Sequence, residues 1–395
     1  MRGALVLFEG LPPTVVDSQV FAHVRLTREL LGIDLAVLAV ACSSALHESS
    51  QQRLARAREA AGGTVILLRG VRPALPGSLT ANRIILARAM AGQGPIDFLH
   101  ARADYAAAVA GPWGRRQGVP VLWDCRGDSR AELKERVSSS IPLLYRSCML
   151  QRELRIAGRN CSGALFVTAR LREAMAPYTT GQPSWVIPCL APEAEFSFTP
   201  ALRERVRGKL GISQDEIVYV YSGSLAAYQC FEETIVTFKA ALTNGQHARL
   251  IVLTPEVERA RRICADVPSS RIIIKSVPHA AVNGYLNAAD FGMLLRDSTP
   301  VNLVAFPTKF AEYAMAGLKV VMKESPPACV TMARQLGNDV APGRAATPWL
   351  LDERARCAGS AAQALGRSAA MPIYAAVYAM LARGGAKQST AAKTS

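Results

Sequence analysis

Short apolar runs rich in Val, Ile and Leu recur along the chain, separated by longer stretches with helical composition. The runs that read as strands are Ala4–Phe8, Asp34–Val40, Thr64–Leu68, Ile96–His100, Pro120–Trp123 and Ala164–Val167. Trp185–Ile187, Ile217–Tyr221, Arg249–Leu253, Arg271–Ile274, Phe291–Leu295 and Lys319–Met322 follow. Few of them alternate polar with apolar, which is the pattern of strands covered on both faces. Helices are expected at Phe21–Leu31, Gln51–Ala61, Arg102–Gln117, Phe231–Leu242, Val282–Ala289 and Lys309–Ala316. Strand followed by helix, repeated, predicts an α/β protein with parallel sheets.

Three prolines, Pro188, Pro192 and Pro200, break every period, and the alternation restarts at Ile217. The expectation is two doubly wound domains, 1–195 and 196–368, a final helix over 369–384 and a flexible polar tail over 385–395. Two such sheets facing one another would set the carboxyl ends of their strands on a shared cleft, where ligands of this architecture bind.

At 395 residues and 50% hydrophobic content the chain is long enough for two cores and too apolar for disorder. A net charge of +15 points to an anionic partner. The basic residues are spread over both halves without aromatic interleaving, so nucleic acid is not expected. Nine cysteines, with no C-x-x-C pair, suit neither a zinc site nor a disulfide framework; reduced thiols in a cytoplasm are the expectation. The first apolar run stops at Glu9, so no signal peptide is read.

Residues 290–322 carry the clearest chemistry: a strand, a polar loop, then a helix starting near Thr308 and stopping at Gly317. Pro307 and Thr308 stand where an entry proline and an N-cap are expected. A helix N-terminus favours phosphate, and Lys309 in its first turn adds a full cation. Glu312 projects from the same face and could accept hydrogen bonds from the vicinal hydroxyls of a ribose. The same spacing also describes an ordinary helix with an i,i+3 Lys–Glu pair.

The run P-T-K-F-A-E-Y-A-M-A-G-L-K-V-V at 307–321, after A-A-D-F-G-M-L-L-R-D at 288–297, resembles the donor-site signature of glycosyltransferase family 4. The resemblance spans most of the chain and is strongest over 217–322. It implies the GT-B fold, two Rossmann-like domains across a cleft, and a retaining, metal-independent transferase using a nucleotide sugar with no further cofactor. It assigns Glu312 to the ribose, as the second glutamate of an E-x7-E pair whose first position is Val304 here. Asn302 and the loop 299–301 are candidates to stand in beside the donor sugar. Ile217–Phe238 resembles the first strand, glycine turn and helix of the family's donor domain, with Gly223 approaching the donor. Ser224 stands where the family carries Arg, and no Lys or Arg follows before Lys239, so Lys309 and Arg296 are expected to meet the diphosphate. Val277, in the loop 276–278, holds the place of the family's base contact, and Thr308 opens the donor helix.

In the amino-terminal half, Gly10-Leu11-Pro12-Pro13 and Ser18-Gln19-Val20 resemble the family's acceptor loop, and L-H-A-R at 99–102 and L-W-D-C-R-G-D at 122–128 resemble strand-end motifs. His100, Arg102, Asp124, Arg126 and Asp128 are thus candidates beside Gly10 and Gln19, with His100 and Arg126 joining Lys309 and Glu312 in catalysis. A structural His100 and a local Asp124–Arg126 ion pair are the competing readings. The implied acceptor is a glycan or lipid-linked hydroxyl, in surface or extracellular polysaccharide assembly. Seven arginines against one acid from Arg53 to Arg88, and seven basic residues against three acids over 129–159, suit an anionic membrane face as well as a solvated one. A peripheral position on the inner face of a membrane would follow from the former. The alternatives are a GT-B sugar-nucleotide epimerase and a catalytically silent nucleotide-sugar-binding protein.

Overall fold

Strands that are apolar on both faces need helices on both sides, and the chain meets that demand in two separate units. The computed structural model describes residues 1–12, 16–137, 140–344 and 347–392. One unit comprises Met1–Pro188 with Ala370–Ser395, the other Cys189–Ala369. The first holds seven parallel strands: β1 (Arg2–Leu7), β2 (Asp34–Ala41), β3 (Val65–Arg69), β4 (Phe98–Arg102), β5 (Val121–Cys125), β6 (Gly163–Phe166) and β7 (Ser184–Val186). Their order is β3-β2-β1-β4-β5-β6-β7. The second holds β8 (Ile217–Ser222), β9 (Ala248–Leu253), β10 (Ile272–Lys275), β11 (Phe291–Leu294), β12 (Lys319–Met322) and β13 (Asp339–Val340), in the order β10-β9-β8-β11-β12-β13. Each sheet reverses its winding at its first strand, between β1 and β4 and between β8 and β11. These are the switch points at which doubly wound sheets bind ligands.

Every expected strand is present within two residues at each end; β13 is the addition. Three of the six expected helices begin earlier than their apolar periods suggest, at Ser44, His279 and Thr308. The second starts at Ser44 rather than Gln51, because the Ser43 hydroxyl caps it by accepting the Leu46 N–H at 3.1 Å. A five-residue π-helical turn, Asp17–Phe21, leads into the helix Ala22–Leu31. The last helix runs Arg367–Ala392, through most of the stretch expected as a tail. That stretch is rich in alanine, the strongest helix former. Residues 393–395 and Pro13 lie outside the described residues.

Two buried devices fix the second unit around its switch point. The Asp290 carboxylate, just before β11, accepts from Arg203 at 2.6 Å, Arg207 at 2.7 Å and the Val218 N–H at 2.8 Å. The Arg354 guanidinium donates to the carbonyls of Leu286, Ala289 and Ala316. Gly292 in β11 allows the closest approach: a Cβ there would meet the Tyr313 ring at 2.4 Å. Tyr313 is thereby held flat on the sheet, and with it the helix Thr308–Met315.

Candidate functional site

In the second unit, β8 ends at Ser222 and the chain turns at Gly223, whose φ of 137° suits glycine alone. The Ser222 N–H donates to the Tyr313 hydroxyl at 2.8 Å. The Tyr221 hydroxyl donates to the Ser224 carbonyl at 2.5 Å, so Ser224 serves the turn through its backbone. Lys309 lies across this turn: its Nζ is 4.3 Å from the centre of the Tyr221 ring, and a Cβ on Gly223 would stand 3.2 Å from it. Burial and the Arg296 charge push the Lys309 ammonium well below the usual lysine range, opposed only by Glu312.

Arg296, just beyond β11, is also buried. It donates to Asn302 Oδ1 at 3.1 Å and Gln229 Oε1 at 2.9 Å, and its guanidinium lies 5.3 Å from the Tyr228 ring centre. Burial lowers its pKa. Among the described residues neither Lys309 nor Arg296 forms an ion pair. Two buried cations met by neutral acceptors and π faces make an arrangement able to take up an anion, because an unpaired buried charge is otherwise expensive.

Glu312 follows Lys309 by one turn and is buried beside it. Its Oε1 lies 3.5 Å from His279 Nε2, and His279 Nδ1 lies 3.4 Å from Glu195 Oε2. Pro307, not Thr308, occupies the N-cap position; proline has no side-chain acceptor, so the first N–H groups of this helix have no side-chain cap. Val277 is half-buried in the loop between β10 and the helix His279–Ala288.

Asn302 sits in the short helix Pro300–Val304, capped by Thr299. Its amide is fully engaged: Oδ1 with Arg296, Nδ2 with the carbonyls of Tyr228 at 3.2 Å and Asp297 at 3.0 Å. It therefore orients Arg296 rather than offering free groups to a sugar.

The first unit gathers Gln19, His100, Arg102, Asp124 and Arg126 into one network. Asp124, at the end of β5, accepts from Arg126 at 3.4 Å; His100 Nε2 is 3.4 Å away and Arg102 3.9 Å. Burial opposes the charge on Asp124, yet Arg126, His100 and Arg102 hold its carboxyl well below the usual range. Arg126 also donates to Gln19 Oε1 at 3.0 Å. The other ring nitrogen of His100 is 2.8 Å from the Tyr378 hydroxyl, itself 2.7 Å from His23 Nε2. A single hydroxyl donates to one ring and accepts from the other, so His100 is tied into the fold on both sides. Asp128 stands apart: it caps the helix Ser129–Arg136 by accepting from the Arg130 and Ala131 N–H groups, and pairs with Arg130. Gly10, φ 68°, donates its N–H to the Val40 carbonyl in β2.

Tyr221, Gln229, Tyr313, Glu195 and His279 belong to the donor-side arrangement and were not singled out from sequence. Tyr313 lies within the run 307–321, and Tyr221 and Gln229 within 217–238, but nothing in local spacing marks Glu195 or His279. Among the described residues no group of three His, Cys, Asp or Glu side chains is placed to hold a metal ion.

No family model matches the chain, and no curated protein matches it in sequence. Its structure is similar to that of Anabaena HepE solved with UDP, at a TM-score of 0.70 and 13% identity over 96% of this chain and 100% of that one. A glycosyltransferase of Rickettsia africae matches at 0.65 and 12%, over 96% and 98%. The sucrose-phosphate synthase of Thermosynechococcus elongatus matches at 0.62 and 15%, over 100% of each. At such identities the likeness concerns architecture, and the chain has the two-domain, parallel-sheet fold of GT-B glycosyltransferase structures.

Proposed function

We propose that the chain is a retaining, hexosyltransferase-like glycosyltransferase related to family 4. It would move a sugar from a nucleoside diphosphate to a hydroxyl of a glycan or lipid-linked acceptor, in surface or extracellular polysaccharide assembly. One observation carries the reading: among the described residues Lys309 and Arg296 are buried without an ion pair, Lys309 beside the Gly223 turn and one helical turn from the buried Glu312. Phosphate oxygens supply the missing charge, and the free N–H groups of the helix Thr308–Met315 add to it. Glu312 accepts from the ribose hydroxyls.

As the bond to the sugar breaks, negative charge grows on the departing diphosphate. Fixed cations aimed at that charge lower the barrier without reorganising. They carry the charge without a metal, and a leaving-group oxygen takes the acceptor's proton, so no protein nucleophile enters. HepE, the structural neighbour, was solved with UDP and with UDP-glucose. In this chain the acceptor falls to the first unit, where Arg102, Asp124, Arg126 and Gln19 share one network. Val304, which offers no polar side chain in place of the family's first glutamate, favours one second reading, a protein that binds nucleotide sugar without turning it over.

A thermal-shift screen with UDP, GDP, ADP and dTDP tests the site, since a ligand bound only by the folded state raises the melting point. Glu312→Ala should abolish the shift; an unchanged shift refutes the assignment. Transfer from a panel of nucleotide sugars separates the enzyme from the silent binder.

A peripheral membrane position has its own support. Among the described residues no helix is long and apolar enough to cross a membrane. The helix Ser140–Asn160 instead exposes one face, Ile141 (81%), Leu144 (68%), Tyr145 and Cys148, which continues as exposed Arg152, Arg155 and Arg159. Arg152 and Arg116 lie near enough to Arg83 that, after burial, their charge lowers its pKa. An apolar edge backed by gathered arginines suits an anionic leaflet, whereas two copies meeting there would bring like charges together. Flotation with anionic vesicles at low salt should recover the protein, and Ile141→Ser with Leu144→Ser should release it; no flotation of the unaltered chain ends the idea.

A further inference from the structure

We propose that His279 is a positioning residue for the donor's ribose, an imidazolium that holds the Glu312 carboxylate turned toward the sugar; the inference rests on the donor-site reading above. His279 is the first residue of the helix His279–Ala288, directly after the loop at the end of β10. Its ring meets the edge of buried Phe196 at 5.4 Å, and each of its nitrogens faces a different carboxylate, Glu195 on one side and Glu312 on the other. A neutral imidazole has one N–H, so only the doubly protonated ring can donate to both. Burial works against that charge, yet the two carboxylates prevail and push the His279 pKa up to about 10.

Helix stability does not explain the arrangement. A cation at a helix N-terminus opposes the helix dipole. The return lies in Glu312: one of its oxygens is occupied by His279, and among the described residues no bond takes the other. A carboxylate fixed through one oxygen presents the second in a single orientation, and two ribose hydroxyls require that. Without His279, Glu312 would lose the donor that fixes its orientation and would turn away from the sugar. Glu195 belongs to the segment entering the second unit, so the same ring also anchors that segment beside the pocket.

The test measures binding of UDP, GDP and ADP to the full chain, then of the 2′-deoxy form of whichever binds, with inorganic pyrophosphate as a control. The unaltered protein should prefer the ribonucleotide by about tenfold, the value of one hydrogen bond to a charged acceptor. His279→Phe keeps a ring against Phe196 but removes both N–H groups. It should bind the ribonucleotide about tenfold more weakly, lose its preference over the deoxy form, and bind pyrophosphate as before, since Lys309 and Arg296 are untouched. His279→Gln, which restores one donor and serves if the phenylalanine variant does not fold, should retain part of the preference. The inference is overturned if either variant keeps the full preference, or if pyrophosphate binding falls in step with nucleotide binding. Pyrophosphate binding without any nucleoside diphosphate binding in the unaltered chain would instead sink the donor-site reading itself.

Discussion

Replacing Lys309 with methionine, similar in length and uncharged, should separate binding from folding. In the folded chain the ammonium is buried against the Tyr221 ring, near the Arg296 charge, and makes no ion pair among the described residues. Losing the cation–π contact costs about 1–2 kcal/mol. Relieving a buried unpaired charge returns an amount of the same order, about 1–4 kcal/mol. The melting temperature at pH 7 should thus stay within about 4 °C of the original or rise. Diphosphate binding behaves differently, because one charge-assisted contact contributes about 1.5–3 kcal/mol, a loss of roughly 10- to 150-fold in affinity for UDP. A pH signature accompanies this. Because the native pKa lies below the model value of 10.5, the folded chain binds fewer protons than the unfolded one, and Lys309 makes stability rise with pH in the window below 10.5. Lys309→Met should flatten that rise. A bound diphosphate favours the charged ammonium, so calorimetry in buffers of different ionisation enthalpy should show greater proton uptake in the original chain than in the variant. Unchanged UDP affinity in the variant, or a melting temperature lower by more than about 5 °C, would refute the argument, the latter by showing that the cation supports the fold.

Two further substitutions probe the frame. Glu153, buried in the helix Ser140–Asn160, has its carboxyl pushed up to about 7 by burial, with Arg146 opposing. Its native form holds the proton more tightly, so its contribution is present below the ordinary value near 4.5 and is lost as pH rises through about 7. Glu153→Gln should stabilise the chain by up to about 3 kcal/mol at pH 8 and not at pH 4, read by urea melts at both; equal effects at both would refute the titration. Asp290→Asn removes the charge shared by Arg203 and Arg207, leaving the latter buried and unpaired. Urea melts should show a loss of about 3–5 kcal/mol, and a loss under 1 kcal/mol would show that the cluster is not what secures β11.

The strands were readable because burial on both faces leaves no polar positions whatever the partner, so Leu35–Ala41 or Leu250–Leu253 announces itself without knowledge of its neighbours. β13 has two residues and no pattern to show. Helix starts were less readable, since they are set by caps: Ser44 to Ser50 carry little apolar period, and Ser43 decides where that helix begins. Polar residues at strand ends mark a region but not a role. Asp124 and Asp128 stand four residues apart in one motif, yet one anchors a network with Arg126, Arg102 and His100 while the other caps a helix. His100 could not reveal its partner, because Tyr378 is separated from it by 278 residues. His279 was invisible for the same reason: its carboxylates come from Glu195 and Glu312, and no spacing links the three.

The departures from the family's pattern are explained at the same level. Position by position, the chain lacks a basic residue after Gly223 and a glutamate at Val304, which together suggest a dismantled donor site. Folded, the site has exchanged one solution for another. Ser224 gives its carbonyl to Tyr221, and that ring carries Lys309 beneath the turn. Arg296 enters from the end of β11, steadied by Gln229 from 67 residues away and by Asn302, whose amide has no group left for another partner. A glutamate at 304 would add an acid to the short helix that carries Asn302, whereas Val304 adds none. Lys309 and Arg296 supply positive charge despite both departures, which favours the proposed donor site over a relic of one.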